Sequence, residues 1–110
     1  MPITRLQAKA LKQAKALKQA KTPKQAKQLL IDAMSTGKCI YLYGSGGNGK
    51  SYLINDSWEL ISRQRYHAYH ERNNNQMMLR KSIICVNTLH SIATEYTNYI
   101  LIDMNHIKFK

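Results

Sequence analysis

Cys39-Ile40-Tyr41-Leu42-Tyr43 followed by Gly44-Ser45-Gly46-Gly47-Asn48-Gly49-Lys50-Ser51 is the stretch on which the fold turns. The first five residues are an apolar run of strand length, and glycine ends it. The next eight fit G-x-x-x-x-G-K-[ST] at every fixed position, a pattern whose parts each serve the binding of a phosphate chain. Glycines let the backbone close around an anion without Cβ clashes. The loop N–H groups and the positive end of the helix after it then point at that anion. Lys50 is placed to reach the β- and γ-phosphates, and the Ser51 hydroxyl to ligate Mg²⁺. At average residue usage the pattern arises by chance in well under about 1 % of chains this long.

Downstream, the residues from Lys50 predict a helix with Leu53, Ile54, Trp58 and Ile61 on one side, running out before the polar Asn73-Asn74-Asn75. Ser82 to Val86 reads as a second strand, Thr88 to about Tyr96 as a short helix, and Tyr99 to Ile102 as a third strand ending at Asp103. Upstream, Thr22-Pro23 opens a helix that runs to about Met34, with Thr22 as N-cap and Pro23 in the first turn. Its apolar stripe is Ala26, Leu29, Leu30, Ala33 and Met34, and Gly37 is a plausible stop. The order α-β-α-β-α-β predicts an α/β domain with a parallel sheet of about three strands. Its expected extent is residues 23–110, after a basic arm at 1–22.

The arm repeats a six-residue unit, RLQAKA, LKQAKA, LKQAKT, PKQAKQ, from Arg5 to Gln28. Eight of the 17 basic residues and none of the six acidic ones lie in positions 1–28. Ala, Leu, Lys and Gln favour helix, but lysine at every third position winds around the whole helix surface, and the strip left between is thin. The expectation is a solvated helical arm that attracts polyanions, nucleic acid above all, through residues 1–28.

Cys39 and Cys85 both fall in expected strands, which suits reduced core residues of an intracellular protein. No apolar run approaches the ~20 residues of a membrane span, and the N-terminus lacks the apolar core of a secretory signal. His67 and His70, at i, i+3 in a stretch interleaving Arg, Tyr and His, read as a polar helix end; as a metal pair they lack a third ligand with recognisable spacing. That stretch would also suit gripping phosphates and stacking on bases. His90 and His106 have no partners that the sequence can name.

At the loop and at Tyr99-Ile100-Leu101-Ile102-Asp103, which is like a Walker B segment, the chain resembles the P-loop NTPases from roughly Lys38 to Asp103. The wording of the loop is most similar to the viral and phage superfamily 3 helicases and related AAA+ ATPases, and the Asn-, Ile-, Lys- and Tyr-rich composition would suit an AT-rich viral genome. The resemblance implies a partial three-layer P-loop fold, ATP held by Gly44 to Ser51, Mg²⁺ held by Ser51 and Asp103, and catalytic roles for Lys50 and Asp103. It places the protein in the cytoplasm or at a viral replication site, and oligomers are usual in the family. Two departures stand out. The position after the Walker B acid, a carboxylate in such ATPases, is Met104, followed by Asn105. The family also implies a strand with a polar sensor residue between the two motif strands, and later an arginine finger, neither of which is legible before Lys110. A sheet with that gap would strand buried N–H and C=O groups. Three readings follow: a truncated product, which is preferred; a kinase- or GTPase-like order with the motif strands adjacent; or completion by another chain. Two functions stay open, a helicase-like ATPase acting on nucleic acid and a nucleic-acid-binding module that holds nucleotide without turning it over.

Overall fold

A computed structural model describes residues 16–45, 49–70, 81–88 and 99–107. In chain order the elements are β1 (Ala16–Gln19), α1 (Pro23–Met34), β2 (Cys39–Tyr43), α2 (Lys50–Asp56), α3 (Trp58–Arg63), β3 (His67–His70), β4 (Ser82–Val86) and β5 (Tyr99–Asp103). The strands form one sheet in the order β1-β5-β2-β4-β3, and every pairing is parallel. The chain is a mixed α/β protein with a parallel sheet, as expected, but the sheet has five strands where about three were expected, β1 and β3 being the additions. The helix expected from Thr88 to Tyr96 lies, after Thr88, outside the described residues.

Alternation along the strands divides the core in two. Ile40, Leu42, Ile83, Cys85, Ile100 and Ile102 point to one face, where they pack with Ala26, Leu30, Ala33 and Met34 of α1, Leu53 of α2 and Ile61 of α3. Cys39, Tyr41, Ile84, Val86, Tyr99 and Leu101 form a second buried cluster on the other face. There the rings of Tyr41 and Tyr99 meet edge to face at 4.9 Å. Burial on both faces explains why the strands read as continuous apolar runs.

Helix α1 starts as its sequence dictates. Thr22 is extended (φ −134°, ψ 156°) and its Oγ1 accepts the Gln25 N–H at 3.1 Å. The Gln25 side chain reaches back to accept the Lys21 N–H at 2.9 Å. Two N–H groups at the helix start are thereby satisfied. Gly37, at φ +72°, turns the chain out of the helix and into β2.

Four expectations are corrected. The helical arm does not extend through residues 16–19, which form β1 and pair with β5 from Ala16↔Ile100 to Gln19↔Asp103. Without β1, β5 would present an unpaired edge, and a ladder along that edge outweighs helix propensities that differ by tenths of a kcal/mol per residue. Residues 1–15 lie outside the described residues. Second, the helix from Lys50 breaks at Ser57 (φ −104°, ψ 9°), and Trp58 is exposed instead of joining the core side. Third, the helix ends by Gln64, and Arg65 takes a positive φ of 61°, so His67 to His70 form an edge strand where a helix end was expected. Fourth, the sheet has no central gap, because β2 and β5 pair directly, from Cys39↔Tyr99 to Tyr43↔Asp103. Of the three readings above, the adjacent motif strands match the observed order.

Candidate phosphate site at the carboxyl edge of the sheet

From β2 the chain goes first to β3 and β4 on one side, then to β5 on the other. Parallel sheets hold ligands outside the carboxyl ends of strands at such a reversal, because the connections diverge there and leave a crevice. The carboxyl ends here are Tyr43, Val86 and Asp103, and Gly44 and Ser45 leave β2 at that edge.

The start of the loop is pinned from both sides. Gly44 donates its N–H to the Val86 carbonyl at 3.1 Å, and the Tyr43 carbonyl accepts the Met104 N–H at 2.7 Å. Ser45 then donates its backbone N–H to Asn105 Oδ1 at 3.0 Å, with its hydroxyl 3.4 Å from the same oxygen. Gly46, Gly47 and Asn48 lie outside the described residues. The loop rejoins the described chain at Gly49, which has φ +81° and ψ 16°. A β-carbon is disfavoured in that left-handed conformation, which accounts for the second fixed glycine of the motif. Helix α2 begins at the next residue, and the Gly49 carbonyl accepts the Leu53 N–H at 2.9 Å.

Lys50 is buried, with 8 % of its surface exposed. Its ammonium folds back over the loop and donates to the Gly44 carbonyl, to the Ser45 carbonyl at 3.4 Å and to Asn87 Oδ1 at 2.9 Å. Three oxygens around one ammonium compensate its burial. Two of these acceptors are backbone carbonyls at the start of the loop and the third is the side-chain amide after β4. Ser51 is exposed on the first turn of α2.

Asp103 is the register partner of Tyr43, one strand over from the start of the loop. Its Oδ1 accepts the Asn105 N–H at 2.9 Å, and its Oδ2 lies 3.6 Å from His106 Nε2. Met104, at the position where the resembled ATPases have a second carboxylate, is buried in the core. The fold therefore gathers Gly44, Ser45, Gly49, Lys50 and Asp103 at one edge. It adds Asn87 and Asn105, which the sequence reading missed as site residues. Asn87 follows β4 as Asp103 closes β5, and a polar residue ending an apolar strand was the signal that would have found it.

Of the histidines, His106 joins this edge through Asp103, and His90 lies outside the described residues. His67 and His70 sit on β3, and three residues apart on a strand they point to opposite faces, so the spacing that would pair them on a helix is lost. Among the described residues no group of three or more His, Cys, Asp or Glu side chains is placed to hold a metal ion. Cys39 and Cys85 are free and buried. Burial pushes the Cys39 thiol up to about 12, opposed by a hydrogen bond with Tyr41. Burial likewise pushes Cys85 up to about 11, opposed by the nearby charge of Lys50. Among the described residues no helix is long and apolar enough to cross a membrane.

No family model, curated protein or solved structure matches the chain.

Proposed function

We propose that the chain binds a nucleoside triphosphate, ATP, through a P-loop at Gly44 to Ser51. The observation that carries this reading is the position of the Lys50 ammonium, folded over the Gly44 and Ser45 carbonyls at the carboxyl end of the central strand. A lysine placed there can exchange these carbonyl and amide oxygens for phosphate oxygens. Mg²⁺ prefers oxygen ligands, few of them from protein and the rest from phosphates and water. The Ser51 hydroxyl and the Asp103 carboxylate supply that donor type, and these two residues would hold the ion. The resemblance to viral helicase and AAA+ ATPases extends the proposal to an ATPase working on nucleic acid, with residues 1–28 supplying attraction to the phosphate backbone.

A second reading, nucleotide binding without turnover, draws on Met104. Its side chain is apolar and buried next to Asp103, so that position offers no carboxylate to polarise an attacking water. Release of phosphate from Mg-ATP separates the two. Turnover by the wild type, absent in Lys50→Ala, makes the chain an ATPase; tight binding without turnover makes it a holder of nucleotide. The nucleic-acid component has its own test. Residues 1–15 contain Arg5, Lys9, Lys12 and Lys15. Deleting them should lower the slope of log affinity for duplex DNA against log salt by up to about 3.6 if all four contact phosphates. An unchanged slope removes the arm from the interface.

A further inference from the structure

A cavity of about 250 Å³ lies between α1 and α2. Pro23 and Ala26 of α1, Leu53 of α2, and Met104 and Ile107 after β5 give it an apolar lining. Gly49 lines it too, so the cavity begins where the phosphate loop ends. Tyr52, three residues beyond Gly49, contributes to its wall although 64 % of its surface is exposed. A large aromatic ring left in water at the mouth of an apolar cavity has a face available to a second flat ring. Lys27 of α1 and Asp56 of α2 also line the cavity and join their charges across the two helices at 3.2 Å. Both remain well exposed, so either charge can turn to another partner with little loss.

We infer that this cavity takes the base of the nucleotide whose phosphates lie on the loop. The inference rests on the phosphate-loop reading and adds the part of the ligand that the loop does not touch. Size supports it: the volume is somewhat below the roughly 300–1,000 Å³ of pockets for drug-sized ligands, and suits a single heterocycle. Chemistry supports it as well. A base has two apolar faces, matched by Tyr52 on one side and the aliphatic lining on the other. It also has a polar edge with donors and acceptors, matched by the carboxylate of Asp56 and the ammonium of Lys27. Continuity through Gly49 is what selects a base over an unrelated apolar ligand, since a triphosphate on the loop brings its nucleoside end to the same neighbourhood. A consequence is that α1, which follows directly on the lysine-rich segment, forms one wall of the nucleotide site.

Calorimetric titration of the full chain with Mg-ATP and with Mg-tripolyphosphate tests this. ATP should bind at least about tenfold more tightly than tripolyphosphate. Tyr52→Ala should weaken ATP about fivefold to a hundredfold, the range of one base–aromatic stack, and leave tripolyphosphate unchanged. Tyr52→Phe, which keeps the ring, should retain wild-type affinity for both. Equal affinities of the two ligands in the wild type, or a Tyr52→Ala loss shared equally by both, overturns the base site while leaving the phosphate loop standing. Failure of both ligands to bind overturns the loop reading and this inference with it. Tyr52 is exposed enough that its replacement leaves the core untouched, and a thermal melt of each variant checks that it does.

Discussion

Replacing Lys50 by methionine isolates the charge at the centre of the site. The side chain keeps its apolar stem and its length, and loses the ammonium that now caps Gly44, Ser45 and Asn87. Two effects on stability oppose each other. The variant forfeits charge-assisted hydrogen bonds of about 1.5–3 kcal/mol each, but it also relieves the desolvation of a buried cation, a cost of several kcal/mol. The net change in stability is therefore small, on the order of 1 kcal/mol in either direction. Binding has no such cancellation. An ammonium about 4 Å from a phosphate charge, at an effective dielectric of about 20, contributes roughly 4 kcal/mol. That is close to a thousandfold in affinity at about 1.4 kcal/mol per decade. Fluorescence polarisation of a labelled ATP in excess Mg²⁺, with a thermal melt on the same samples, reads both quantities. The expected result is a melting temperature within a few degrees of wild type and a Kd weaker by two to three orders of magnitude. Should the methionine variant fail to fold, Lys50→Gln, which keeps a polar donor and drops the charge, takes its place and is expected to lose a similar share of the affinity. A folded variant whose Kd lies within twofold of wild type refutes the role given to Lys50.

Ser57 is buried at the break between α2 and α3, and its hydroxyl has no hydrogen-bond partner among the described residues. Ser57→Ala removes that orphan and adds a better helix former, so denaturant unfolding should show a gain of about 1 kcal/mol; a loss would mean that the hydroxyl is satisfied. The cysteines make a prediction with a definite sign. Their folded pKa values, about 12 for Cys39 and about 11 for Cys85, lie above the ordinary 9.0. The folded state holds these protons more tightly than the unfolded one. The associated stability is therefore complete below about pH 9 and is lost as pH rises toward 11 and 12. Denaturant midpoints measured from pH 8 to 10.5 should fall, and replacing both thiols by alanine should flatten the alkaline part of that fall. At pH 8 a thiol reagent should label neither cysteine in the folded protein and both after unfolding.

Much of this molecule is written locally. Thr22, Pro23 and Gln25 fix the start of α1 within a span of four residues, and the periodicity from Ala26 to Met34 fixes the face it buries. The same holds for β2 and for the helix that opens at Lys50, since each signal is complete within a few residues of where it acts. These are the elements read from the sequence and found in the structure.

The remainder depended on partners distant in the chain. Ala16 to Gln19 have every local reason to be helical, yet they become a strand because β5, more than 80 residues later, offers an open edge. His67 to His70 likewise become a strand beside β4. Strand order brings Asp103 into register with Tyr43 and places Asn87 on Lys50 and Asn105 on Ser45. No window of sequence contains both members of any of these pairs. Helix and turn preferences are set by neighbours along the chain, whereas the pairing of backbone edges and the meeting of strand ends are set by which strands lie side by side. Sequence alone determined the glycine-rich motif and the strand and helix flanking it; the tertiary structure decided which distant residues meet its two ends.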